Sequence, residues 1–256
     1  MNPGTLLRHP ALQGKTLAFL IHLGLSACIV GLVAALMLFI WYPQPWFMHD
    51  GGWTVFRLIL AVDLVLGPLL TLIIYRRGKP GLKRDLSIIA AVQLGALAFG
   101  MTTMLQHRPV YVVYAENNFF AITWAQLRHG TKDMDRLDAL KTASNMLPMA
   151  YLQLPADAAE RARLRSAAGQ GGPLVISLGD HYRPLSATDW KEILGQGPDI
   201  ETLARSDADI AAALQRFRAS HAGVMETIAF VPVVCRNDVL MLAIDRNTFR
   251  VVGWLD

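Results

Sequence analysis

Along the first hundred positions, polar residues come in short clusters between three long apolar runs, Thr16–Trp41, Trp53–Tyr75 and Leu86–Leu105. About 20 apolar residues suffice to cross the hydrocarbon of a bilayer as a helix. Each run therefore predicts a transmembrane helix, over about 16–41, 53–75 and 86–105. A cleaved signal peptide is the alternative for the first run, with Arg8 and Lys15 as its basic flank. That run exceeds the usual apolar segment of about 7–15 residues and no small-x-small cleavage site follows, so a retained span is expected. From residue 108 the pattern changes to short alternating stretches and amphipathic segments. RPVYVVYAE (108–116) and FFAITWAQL (119–127) predict two strands around Glu116-Asn117-Asn118. ADAAERARLRSAA (156–168) predicts a helix, and GGPLVISLGD (171–180) a strand. SATDWKEILGQG (186–197) predicts a capped helix, and a further helix is expected over Asp207–Ser220. The turn signals RND and DRNT divide the last stretch into a meander, 229–235, 239–244 and 249–254.

The expected fold class is thus a membrane protein: three transmembrane α-helices, residues 1–107, followed by an α+β extracytoplasmic domain, 108–256, that ends in an antiparallel β-meander. Charge sets the direction. Residues 1–105 hold eight Lys or Arg and three Asp or Glu, whereas residues 106–256 hold sixteen and seventeen. The loop WYPQPWFMHDGG has no Lys or Arg, and RRGKPGLKRD has five: Arg76, Arg77, Lys79, Lys83 and Arg84. The positive-inside rule puts the N-terminus and the second loop in the cytoplasm, and everything after Leu105 outside it. In a bacterial cell this topology would correspond to a multi-pass inner-membrane protein with a periplasmic C-terminal domain. Trp41, Tyr42, Trp46 and Trp53 cluster between the first two runs, where interfacial aromatics are expected. Overall 53% of residues are hydrophobic, 17% are charged, and mean hydropathy is +0.34. The near-neutral second part argues against a nucleic-acid surface. Cys28 and Cys235 lie in regions of opposite character, so no disulfide is expected.

Within the second span, Asp63 sits about 15 Å from Trp53 along the helix axis, near mid-bilayer. A charged Asp there costs about 2.5–3.5 kcal/mol. Gly67 shares its face, and Pro68 removes the hydrogen bond to the Leu64 carbonyl and predicts a kink. In an antiparallel hairpin Gln93 lies near the depth of Gly67, and Gly95 and Gly100 allow close approach of the third span. Three readings of Asp63 stand at this point: an internal contact with Gln93, a contact with another protein's helix, or a station on a proton or ion path. His22 reads as a packing histidine, and Arg57 as a side chain that snorkels to the interface.

No catalytic or metal-binding arrangement rises above background. G-x-S-x-G, H-E-x-x-H and Walker patterns are absent. GQGG (169–172) reads as a loop, DMDRLD (133–138) as a turn or helix start, and Asp180-His181-Tyr182 lacks an identifiable nucleophile. An enzyme is not expected, nor a cofactor.

The first span ending in WYP (41–43), AVDLVLGPLLTLIIY (61–75), LKRDLSIIAAVQLGALAFG (82–100) and RPVYVVY (108–114) together resemble the type IV pilin accessory proteins, an inner-membrane family. The resemblance covers about residues 16–114; the remainder agrees in size and position. It implies a non-enzymatic assembly factor or chaperone for a type IV pilin subunit, working within the lipid bilayer with other pilus assembly proteins. It makes Asp63, Gly67, Pro68 and Gln93 the expected contact with the pilin or its support, with His22 at a depth compatible with the polar groups of a pilin helix. The alternative class is a membrane-anchored sensor or immunity-type binding protein acting through a partner. Its cytoplasmic segments are too short to carry a signalling enzyme.

Overall fold

The computed structural model describes residues 10–42, 44–140, 147–223 and 225–255. Arg8, and Pro43 of the WYP motif, lie outside them. The chain divides into two compact units, Met1–Gln106 and His107–Asp256.

Three helices in the first unit are long and apolar enough to cross a membrane: Gln13–Trp41, Gly52–Ile74 and Leu82–His107. Helix α1, Pro10–Leu36, runs on through a π-helical turn, Met37–Trp41. A short helix α2, Trp46–His49, precedes α3, Gly52–Leu60. The second span is built from α3, a π-helical segment Ala61–Leu66, and α4, Gly67–Ile74. The third is α5, Leu82–His107. Val30, Val33, Met37, Tyr42, Phe47, Ile59, Leu97 and Met104 form the apolar core of this unit. Of the aromatics between the first two spans, Tyr42 and Trp46 are fully buried within the unit, and the Tyr42 hydroxyl donates to the Met104 carbonyl at 2.9 Å. Gly100 does admit a close neighbour, since a Cβ there would meet Ile59 Cγ1 at 2.9 Å. Gly95 does not; it faces open space.

The second unit is a seven-stranded mixed sheet with helices on it. Strands β1 (Pro109–Ala115) and β2 (Asn118–Thr123) form a hairpin, turned by Glu116 and Asn117 at φ 49° and 64°. Positive φ at both central residues is what a twist-compatible two-residue turn requires. The expected second strand stops at Thr123, because Thr123 and Gln126 close a capping box that starts α6, Trp124–Gly130. Helix α7 is Met134–Asp138, β3 is Met149–Leu152, and α8 is Ala158–Gly169. The strand expected over 171–180 is not formed. The run makes two 3-10 turns, Val175–Ser177 and Gly179–His181, and packs Val175 and Ile176 against the sheet. Only then comes the two-residue β4, Tyr182–Arg183. Helices α9 (Ala187–Gln196), α10 (Ile200–Ser206) and α11 (Ala208–Ser220) follow, the first and last capped by Ser186 and Asp207. The meander is β5 (Ile228–Val234), β6 (Val239–Asp245) and β7 (Val251–Trp254). The sheet order is β4-β3-β1-β2-β5-β6-β7, with β1–β3 and β2–β5 parallel and the other pairs antiparallel. One core gathers around Tyr111, Val113, Ile122, Leu137 and Tyr182, another around Leu214, Phe217, Phe230 and Ala243.

Candidate functional site

Pro68 is the origin of the polar site in the first unit. It sits in the first turn of α4, where a missing N–H is tolerated. The turn before it is π-helical, so that the Gly67 N–H reaches back five residues to the Val62 carbonyl. In that register the next bond would run from residue 68 to the Asp63 carbonyl, and proline cannot supply it. The sequence expectation that the Leu64 carbonyl loses its partner assumed an α-register, which the π segment replaces. Gln93 on α5 fills the gap: its Nε2 donates to the Asp63 main-chain oxygen at 3.4 Å. Gly67 makes room for it, because a Cβ at 67 would collide with the Gln93 amide.

His22 on α1 completes the cluster. Since Gln93 uses its amide nitrogen on Asp63, its Oε1 accepts from His22 Nε2 at 2.9 Å. In that tautomer His22 Nδ1 accepts from Thr71 Oγ1 at 2.6 Å. One side chain from each span thus enters a single chain of hydrogen bonds: Thr71 to His22 to Gln93 to Asp63. Asp63 is 5% exposed, Gln93 8% and Thr71 3%. The Asp63 carboxyl is also within hydrogen-bonding reach of Gln93, and its Oδ2 is buried with no partner among the described residues. All five residues singled out in sequence, His22, Asp63, Gly67, Pro68 and Gln93, are therefore brought together. Thr71 was missed. Its signal was its spacing, since residues 63, 67 and 71 fall on one helical face.

The arrangement can hold three helices at a fixed register. Polar groups inside apolar surroundings find no water, so each becomes a specific link between helices. Among the described residues no group of three or more His, Cys, Asp or Glu could hold a metal ion. Arg76, Arg77, Lys79, Lys83 and Arg84 lie apart from it, exposed at the α4–α5 connection. Arg57 is exposed too, its guanidinium 5.9 Å from the Trp53 ring centre.

In the second unit the remaining sequence candidates have structural partners. The Asp180 carboxylate accepts from the Lys132 and Asp133 N–H groups at 3.1–3.2 Å. Arg183 holds Asp189 through two bonds of 2.6 and 2.8 Å, and the guanidinium keeps that carboxyl well below the ordinary carboxylate range. A groove of about 530 Å³ lies between α11 and β7, lined by Phe217, Ser220, His221 and Trp254 among others.

A family model described as "Fimbrial assembly protein FimB" matches residues 10–50. Three fimbrial assembly proteins of Dichelobacter nodosus are similar over 97 residues, 37% of this chain. Those of serogroup I and of serogroups C1 and C2 are 40% identical to it, and that of serogroup E1 is 39% identical. The matched stretch spans only 37% of the serogroup I and E1 proteins, but 73% of the C1 and C2 protein. No solved structure matches the chain significantly. With identity at this level across nearly three quarters of one relative, the chain belongs to the fimbrial assembly protein family.

Proposed function

We propose that this chain is a non-enzymatic accessory factor of the bacterial inner membrane that assists pilus assembly by acting on a type IV pilin subunit, as assembly factor or chaperone. Its relatives' names support the pilus role. The observation that carries the rest is the hydrogen-bond chain through His22, Thr71, Gln93 and Asp63, which ties three apolar helices into one scaffold. A pilin subunit waiting in the membrane is itself an apolar helix with a folded head. A partner for it needs a rigid helical surface in lipid and a folded unit beside the bilayer. In this reading the α4–α5 connection faces the cytoplasm and the second unit the periplasm. With the cluster turned inward, Asp63 and Gln93 support the scaffold, and the pilin meets the outward surfaces of the spans or the second unit.

Photo-crosslinking in intact membranes tests this. Probes belong at Leu66 and Val92 on the spans and at Val239 in the meander, all three exposed. A pilin adduct from a span probe supports handling of the pilin helix, and one from Val239 alone moves recognition to the second unit. Absence of any pilin adduct, with pilin expressed, refutes direct action on pilin.

A further inference from the structure

We propose that the face of the first unit formed by the α4–α5 connection binds the phosphate headgroups of anionic phospholipids. Arg76, Arg77, Lys79, Lys83 and Arg84 are all exposed there. Lys15 of α1 adds to the same face, since the neighbouring Gly14 lies against the Tyr75 ring, 3.6 Å from where its Cβ would be. Six cations are thus gathered at one end of three membrane-crossing helices. Only one carboxylate accompanies them, Asp85, and Lys79 holds it at 2.7 Å. The other two acids of the unit are elsewhere: Asp50 follows α2 in the connection between the first two spans, and Asp63 is inside the polar cluster.

Depth decides the ligand. The second span stops at Ile74 and the third restarts at Leu82, so Arg76, Arg77 and Lys79 lie between the spans and Lys83 and Arg84 in the first turn of α5, the depth expected of the lipid phosphates. The connection between them is short and doubly turned. Lys79 N–H donates to the Arg76 carbonyl at 3.0 Å and Leu82 N–H to the Lys79 carbonyl at 3.3 Å. Gly78 and Gly81 take φ of +78° and +80° at these turns. A loop folded this tightly stays near the membrane plane and spreads its charges along it. An acidic partner protein would be met better by a projecting loop.

The test uses the full chain in nanodiscs of equal phosphatidylglycerol and phosphatidylethanolamine, with native mass spectrometry of the lipids it retains. No pilin is present and both leaflets are alike, so neither the pilin reading nor the orientation affects the result. The wild type should retain phosphatidylglycerol preferentially. Each cation near an anionic surface is worth about fivefold in affinity at low salt. The combined Arg76→Gln, Arg77→Gln, Lys83→Gln and Arg84→Gln variant should therefore lose at least about tenfold of the preference. The charge-keeping variant Arg76→Lys, Arg77→Lys, Arg84→Lys should retain most of it, which separates charge from a folding defect. Equal retention of the two lipids by the wild type, or an unchanged preference in the glutamine variant, overturns the proposal. So does displacement of phosphatidylglycerol by inorganic phosphate at constant ionic strength, which would mark a site for a soluble anion. Charge-dependent binding of polyglutamate without lipid preference would reassign the face to an acidic protein and also overturn it.

Discussion

Alanine at position 67 places a Cβ inside the Gln93 amide, 2.7 Å from its Oε1 and closer still to its other two amide atoms. The Gln93 side chain must then leave, and its bonds to the Asp63 carbonyl and from His22 go with it. Interhelical hydrogen bonds in lipid average about 0.6 kcal/mol, with a ceiling near about 1.7. Two of them, about 1–3 kcal/mol of overpacking, and a gain of about 1 kcal/mol for removing a helical glycine leave a net loss of roughly 1–5 kcal/mol. The measurement is unfolding of the purified full chain in detergent by added SDS, followed through its helical circular dichroism. The second arm is the sharper one. In a Gln93→Ala background the space beside residue 67 is vacated, and Gly67→Ala should become neutral or stabilising by up to about 1 kcal/mol. A double-mutant cycle therefore reports strong coupling and a change of sign. If the two substitutions add, or if Gly67→Ala alone is silent, the steric argument for the glycine and the role of Gln93 both fail.

Three further expectations concern the second unit. Gly130→Ala drives a Cβ into the Ser177 backbone carbonyl, which cannot swing away, and should cost about 1–3 kcal/mol in thermal or denaturant melts. Asp189→Asn removes the charge from the Arg183 pair and should cost about 1–3 kcal/mol at neutral pH. Because Arg183, then Ser186, hold the Asp189 carboxyl below its ordinary range, its contribution is complete above that range and fades as pH falls through it toward the lowered folded value. The acid side of the wild-type stability profile should thus be steeper than that of Asp189→Asn, and equal slopes would contradict the pairing. Burial pushes the Tyr111 hydroxyl up to about 12 and Tyr182 higher still, with Tyr111 donating to the Leu137 carbonyl at 2.5 Å and Tyr182 to the Ile176 carbonyl at 2.5 Å. Their stabilisation is full below about pH 10 and is lost as pH rises through the folded values, so ultraviolet absorbance should show both ionising only as the unit unfolds.

How legible the molecule is in its sequence differs between the units for physical reasons. A bilayer imposes length and apolarity locally, so three spans can be read from windows of about 20 residues. Asp63 and Gln93 stand out because a polar group in such a window is expensive. Thr71 does not, since a lone hydroxyl is common in apolar helices and its partner, His22, is 49 positions away. The π segment is likewise hidden; Pro68 announces a break but not which carbonyl is left over. In the second unit the meander and the β1–β2 hairpin carry their own turn residues and were visible. GGPLVISLGD (171–180) reads as a strand because an apolar run of four or five residues suits a strand and a buried turn equally. Its fate is decided by Gly130 and Thr131, whose contacts with Ser177 and Gly179 are long-range. The four-residue β3 is hidden for the same reason, being a strand only through its long-range pairing with β1 and β4.

The link between Gln93 and the Asp63 carbonyl also has a history in time. Thirty residues separate the two. At a synthesis rate of about 5–20 residues per second, the nascent second span exists for roughly 2–6 seconds before its partner has been made. During that interval it holds a carboxyl and a carbonyl that no lipid can satisfy, together with the proline that created the second vacancy. The second span is therefore a poor solitary inserter. Insertion together with the third span, as a hairpin, is the expected route, because only then does the Asp63 carbonyl gain its Gln93 partner.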